Sequence, residues 1–98
     1  MFIPVKTSFY EKTVTATSDD PFQIELAGSP ESETILTSVN IHCYSNNAYY
    51  GHMSLQAAVI NANAVVWFDG KIKLSDLWFK NYAAGSNCVI VIAGLRLE

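Results

Sequence analysis

The stretch Ala64-Val65-Val66-Trp67-Phe68-Asp69-Gly70-Lys71-Ile72-Lys73-Leu74 decides the fold class of this chain. Val65 to Phe68 are all β-branched or aromatic, the residue types that suit a pleated, half-buried strand. Asp69-Gly70 then reads as the two-residue turn of a hairpin. Such a turn needs φ > 0 at both central positions, which Gly accepts and Asp tolerates. It pairs Phe68 with Lys71, Trp67 with Ile72, Val66 with Lys73 and Val65 with Leu74. Side chains alternate along a strand. One face of the hairpin therefore carries Val65, Trp67, Ile72 and Leu74 and is expected to be core. The other carries Val66, Phe68, Lys71 and Lys73, half apolar and half basic.

Outward from this hairpin the chain keeps the same character. Lys12–Thr17 alternates with period two, with Thr13, Thr15 and Thr17 on one face and Val14 and Ala16 on the other. Ser18-Asp19-Asp20-Pro21 is a turn, and Phe22, Ile24 and Leu26 alternate inward against Gln23 and Glu25. These two strands are expected to form a first hairpin. Residues 27–34 read as a loop broken by Gly28 and Pro30. Val39, Ile41 and Cys43 share one face of a long strand over Ile35–Tyr44, and Tyr49–Leu55 is expected to return beside it. Leu55–Ile60 is too short for a free-standing helix and is read as a strand, with a turn at Asn61-Ala62-Asn63. Cys88–Ala93 is apolar on both faces, which marks a strand covered on both sides. About eight short strands, with turn signals every 8–12 residues or so, predict an all-β, two-sheet antiparallel β-sandwich of jelly-roll or Greek-key order.

The 98 residues allow one domain, with residues 1–10, interrupted by Pro4, as an N-terminal arm. Half the residues are hydrophobic and 15% are charged, against about 25% in an ordinary soluble domain. Few charges are available to cover a large surface, so part of the apolar surface is expected to lie against another chain. A closed homo-oligomer, dimer or trimer, would supply that cover. The expected contact residues are Val66, Phe68, Lys71 and Lys73 of the hairpin, with Val89 and Val91 of the two-sided strand. Residues 1–34 carry a net charge of −4 and residues 35–98 a net +1, so the acidic third reads either as a solvated loop or as a segment that meets a basic surface, in a neighbouring subunit or another protein. Six scattered basic residues make no stripe for nucleic acid. Phe2-Ile3-Pro4-Val5 is too short for a signal peptide and no apolar run reaches membrane-spanning length, so no membrane partner is expected. Cys43 and Cys88 then read as reduced core thiols.

Catalytic chemistry is not legible. His42, Cys43, His52 and Cys88 are the only His and Cys residues. They show no metal-ligand spacing, and adjacent His42 and Cys43 point to opposite faces. No Gly-x-Ser-x-Gly occurs, and Cys88 lies in an apolar run where a thiol is inert. Asp19, Asp20, Glu31 and Glu33 sit among polar loop residues. They lack the burial that sets one carboxyl of a catalytic pair apart. Neither enzymatic activity nor a cofactor is expected. The alternative to assembly is glycan binding, through an aromatic platform of Tyr49, Tyr50, Trp67 and Trp78 with Asn46, Asn47 and His52 as hydrogen-bonding neighbours.

The segment Val65–Leu97 also resembles the small all-β accessory proteins of tailed bacteriophage virions, the decoration or cement, head-fibre and tail proteins. The likeness lies in the order of parts. An aromatic strand ends in Asp69-Gly70-Lys71. Leu74–Phe79, Ala83-Ala84-Gly85, the apolar Cys88–Ala93 and Leu95–Leu97 follow. The resemblance implies a β-sandwich that assembles and attaches to a capsid or tail alongside other virion proteins. It implies synthesis in a host cytoplasm, residence in the virion and no active site.

Overall fold

The computed structural model describes residues 7–26, 28–52 and 55–97. Among these residues nine strands form two antiparallel sheets. They are β1 (Thr7–Thr15), β2 (Phe22–Gln23), β3 (Ile35–Tyr44), β4 (Ala48–His52), β5 (Leu55–Ile60), β6 (Val65–Phe68), β7 (Ile72–Lys73), β8 (Trp78–Asn81) and β9 (Val89–Leu97). A single 3-10 turn, Leu74–Asp76, separates β7 from β8. Sheet A has the order β1-β9-β3-β6, with β7 also on β3, and sheet B the order β2-β8-β4-β5. The chain is all-β, as expected.

β6 and β7 run along the same side of β3, one after the other, with Val39 opposite Phe68 and Leu36 opposite Ile72. Counted as one interrupted strand, they bring the total to eight, and the pairing is nested. First pairs with last (β1 with β9), second with seventh (β2 with β8), third with sixth (β3 with β6 and β7) and fourth with fifth (β4 with β5). A long hairpin rolled into two sheets has this order, which is that of the eight-stranded jelly roll.

This topology overturns three hairpins expected from the sequence. Asp69-Gly70 is not a hairpin turn, because β6 and β7 pair with β3 and not with each other. Neither Asp69 nor Gly70 has the positive φ such a turn requires. Segment 69–71 instead passes a bulge in β3, where the register with β9 shifts between Thr37 and Asn40 and Ser38 takes a φ of 53°. β1 and β2 lie in different sheets, as do β3 and β4. The turns at 16–21 and 45–47 therefore cross the sandwich. The hairpin that does form joins β4 and β5.

Because 65–73 is one interrupted strand, its face assignment changes. Val66, Phe68 and Ile72 pack against the core and Leu74 is fully buried. Val65 is exposed and Trp67 is 70% exposed. The expected core face was right for Ile72 and Leu74 and inverted for Val65 and Trp67. It follows that Val66 and Phe68, expected at an interface, are inner-face residues. Phe68 meets Tyr50 of sheet B edge to face, at 6.1 Å between ring centroids.

Elsewhere alternation gave the correct faces. Val39, Ile41 and Cys43 are buried from β3, Ile90 and Ile92 from β9, and Ala16 just after β1. Sheet B contributes Ala48, Ile60 and Phe79, and Phe79 packs on Phe22 at 5.9 Å. Leu26, expected inward, is exposed, and Glu25, expected outward, is buried. β2 ends at Gln23 and the chain bends at Ile24-Glu25, which breaks the alternation. Thr7 to Tyr10, expected in an arm, belong to β1 and pair with β9 from Thr7 opposite Leu97 to Tyr10 opposite Gly94. The rest of that arm and Met53, expected within the return strand, lie outside the described residues. Cys43 and Cys88 are buried free thiols. Burial, with a smaller repulsion from Cys88, pushes the Cys43 thiol up to about 11.

Candidate functional site

The outer face of sheet A is assembled from the residues that alternate with the core. On β9 these are Val89, Val91, Ala93 and Leu95, since Ile90 and Ile92 point inward. The register sets their neighbours. Val91 lies between Thr13 of β1 and His42 of β3, and His42 lies beside Val65 of β6. Ala93 lies between Glu11 and Asn40, and Asn40 lies beside Trp67. Leu95 is flanked by Phe9 and Thr37, and Val89 by Thr15 and Tyr44. The result is an apolar stripe along β9, with Trp67 and Val65 on one flank and Phe9 on the other. Phe9 is 67% exposed, and Tyr44 and Leu95 are also exposed. The polar group inside the stripe is self-contained. His42 Nε2 lies 3.1 Å from Asn40 Oδ1, and its ring stacks on Tyr44 at 6.0 Å and 7°.

Of the expected contact residues, Val89 and Val91 lie on this face. Lys73, opposite Ile35, lies at its end and pairs with Glu33 at 2.7 Å. Lys71 is exposed in the interruption between β6 and β7. Val65 and Trp67 complete the patch, and sequence reasoning missed them because it assumed a two-residue turn. The continuous parity of 66, 68, 72 and 74 was the available signal.

The acidic segment finds its basic partners within the chain. Glu31 accepts from Arg96 Nη1 through both carboxylate oxygens, at 3.0 and 2.9 Å. Glu25 accepts from Lys12 Nζ at 2.9 Å and from the Tyr10 hydroxyl at 2.8 Å. Burial opposes the charge on Glu25, but these two donors prevail and hold its carboxyl below the usual carboxylate range. Burial, reinforced by the hydrogen bond to Glu25, raises the Tyr10 hydroxyl well above an ordinary phenol. The Arg96 guanidinium lies 6.0 Å from the centre of the Tyr10 ring. Segment 28–34 thus closes one end of the sandwich, where charge asymmetry had left a solvated loop or a contact with a neighbour open.

The opposite end is knitted by side-chain amides. Asn81 Nδ2 donates to Ser18 O, Asp19 Oδ1 and Asn87 Oδ1, and Asn81 Oδ1 accepts from Cys88 N. The Asn81 hydrogen bond and a second from Gly85 N hold the Asp19 carboxyl below its ordinary value. Ser45, Asn46, Asn47, Tyr82 and Ser86 line a cleft of about 200 Å³ at this end. Tyr82 stacks on Tyr49 at 5.0 Å.

The four aromatics expected to form a glycan platform do not meet. Tyr50 packs inward on Phe68, and Trp67 lies on the outer face of sheet A. Tyr49 and Trp78 share the outer face of sheet B, but the Trp78 Nε1 is buried and finds no hydrogen-bond partner among the described residues. Among those residues no three His, Cys, Asp or Glu side chains converge as a metal site, and no helix is long and apolar enough to cross a membrane. Comparison of the chain with family models, curated proteins and solved structures returns no match.

Proposed function

We propose that this chain is a non-enzymatic assembly protein whose copies associate through the outer face of sheet A. The observation that carries this reading is the outer-face stripe on an otherwise well-formed sandwich, in which Phe9, Val65, Trp67 and Leu95 are exposed and Val89 and Val91 half-buried. Exposed apolar patches of this kind mark contact sites. Burying one contributes roughly 25 cal/mol per Å² before the cost of association. Trp67 stands out of the sheet as a large aromatic anchor, a residue type that dominates interface energetics. The resemblance of Val65–Leu97 to phage accessory proteins favours the finer reading of a virion structural protein that decorates a capsid or tail as a dimer or trimer.

Light scattering after gel filtration tests the coarser statement. The wild-type chain is expected at a small multiple of 10.8 kDa, and Trp67→Lys at the monomer mass with its fold intact. A wild-type monomer over the whole concentration range would overturn it. The finer statement is tested by mass spectrometry of gradient-purified virions from a lysate that carries the gene. Stoichiometric amounts of the chain are expected, and its absence from the particles would remove the virion reading.

A second reading, binding of a neutral glycan, is favoured by the cleft beside Tyr82. Its lining of hydroxyls, amides and one exposed aromatic ring carries no charge. Retention on a polysaccharide column that Tyr82→Ala abolishes would support it.

A further inference from the structure

The turn from β3 to β4 presents two side-chain amides in opposite senses. Asn46 Nδ2 donates to Asn87 O at 2.8 Å, which leaves its Oδ1 over. Asn47 Oδ1 accepts from Ala62 N at 2.7 Å, which leaves its Nδ2 over. The backbone partners fix both orientations, because a carbonyl only accepts and an N–H only donates. Neither remaining atom has a hydrogen bond among the described residues, and neither is buried. Both residues line the cleft with Ser45, Ser86 and Tyr82. Tyr82 is 48% exposed, its ring stacks on Tyr49 at 5.0 Å, and its N donates to Asn47 O at 3.4 Å. One acceptor, one donor group and one aromatic ring are therefore held in place before a ligand arrives, which reduces the ordering cost of binding.

We propose that this cleft binds one pyranose ring of a neutral glycan, with two neighbouring hydroxyls spanning Asn46 and Asn47 and a C–H face of the sugar against Tyr82. The inference rests on the glycan reading above and adds to it the ligand unit and the atoms that read it. The two amides select by exclusion. An anion meets the Asn46 oxygen and a cation meets the Asn47 amide hydrogens, so either ion leaves one amide opposed. An apolar body strips water from both without replacing a hydrogen bond, which costs binding energy. A hydroxyl both donates and accepts. One hydroxyl can therefore donate to Asn46 Oδ1 while its neighbour accepts from Asn47 Nδ2. The Ser45 and Ser86 hydroxyls offer further partners to the same ring, and the apolar C–H face of a sugar has the Tyr82 ring to cover. At about 200 Å³ the cleft is smaller than the roughly 300–1,000 Å³ of sites for drug-sized ligands, and it accepts one ring and not a chain.

Nuclear magnetic resonance titration of the isotope-labelled chain tests this, with the methyl glycosides of glucose, galactose and mannose as probes. At least one glycoside is expected to shift the side-chain amide resonances of Asn46 and Asn47 and the backbone resonance of Tyr82, and to do so saturably. Asn47→Asp keeps the oxygen that accepts from Ala62 N and exchanges the donor for a second acceptor. It is expected to weaken that glycoside by about tenfold with an unchanged unfolding midpoint, while Tyr82→Phe keeps the ring and most of the affinity. Uracil, a flat ring with an adjacent donor and acceptor, is the competing probe. No shift with any glycoside, or shifts with uracil alone, would overturn the inference. So would undiminished glycoside binding by Asn47→Asp. If the polysaccharide column still retains the chain through Tyr82 in that case, the glycan reading stands and only the assignment to the two amides falls.

Discussion

β9 presents the same chemistry to two different surroundings. Ile90 and Ile92 point into the sandwich and are completely buried under sheet B. Val89 and Val91, their immediate neighbours in sequence, point out of sheet A, where no element of the described chain lies over them. A strand buried on both faces in α/β proteins is apolar throughout because layers cover both sides. Here the run Cys88–Ala93 has that composition with one layer supplied by the described residues. The difference is what the assembly reading builds on: it assigns the second layer to another copy, with Trp67 standing beside the stripe as its anchor.

Substitutions on β9 separate the two faces most sharply. Ile92→Ala removes packing from a site that cannot refill and is expected to cost about 2–5 kcal/mol in denaturant unfolding. Val91→Ala, one residue away, is expected to cost about 1 kcal/mol or less in the dilute chain and to weaken association instead. Equal losses of stability at the two positions would break the distinction. Gly94 lies on the inner side of the same strand, against the β3 bulge. A Cβ there meets Thr37 O at 3.2 Å and Val39 Cγ2 at 3.3 Å, and a backbone atom gives way poorly. Gly94→Ala is therefore expected to cost about 1–3 kcal/mol, read from the shift in denaturation midpoint.

The charged cluster at the end of the inner face adds a pH dependence. Glu25 has a folded pKa below its unfolded one, so its stabilisation is complete above the usual carboxylate value of about 4.3. It is lost as the pH falls from there towards the lower folded value. Glu25→Gln is expected to cost about 1–3 kcal/mol at neutral pH and to flatten the stability profile between about pH 5 and pH 3. An unchanged acid limb would mean that Lys12 and Tyr10 do not hold this carboxylate. The smallest effect is at Gly70, whose φ is not positive and whose added Cβ would meet nothing within 4 Å. Gly70→Ala is expected to be neutral, or to stabilise by about 0.4–1 kcal/mol through the unfolded chain. A hairpin turn of the type the sequence suggests would instead be strained by it, so thermal melting of this variant checks the parity that puts Trp67 outside.

The strands and most of their faces were legible because period-two alternation depends only on which side of the sheet is wet. Thr13 and Thr15 against Val14, and Asn40, His42 and Tyr44 against Val39, Ile41 and Cys43, needed nothing further. Partner choice was not legible. A turn signal such as Ser18-Asp19-Asp20-Pro21 says that the chain reverses or bends, and is the same whether the next strand returns within its sheet or crosses to the other. The jelly roll crosses at 16–21 and at 45–47, so the hairpin readings failed there. At Asp69-Gly70 the competing influence was the bulge at Thr37–Asn40 on β3, a long-range partner that local sequence does not announce. That single misreading turned Trp67 and Val65 inward and Phe68 and Val66 outward. Of the residues expected at a contact, Val89 and Val91 do lie on the outer face of sheet A, because reading their two-sided apolar run required no knowledge of pairing.

Trp67 itself offers the most direct measurement. In a Trp78→Phe variant it is the sole tryptophan, and its fluorescence emission reports whether the outer face of sheet A is wet. The assembly account predicts a solvent-exposed spectrum at high dilution that moves to the blue as concentration rises, in step with the increase in mass. A spectrum that stays solvent-exposed at concentrations where the chain is oligomeric would show that copies meet elsewhere, and would contradict the account.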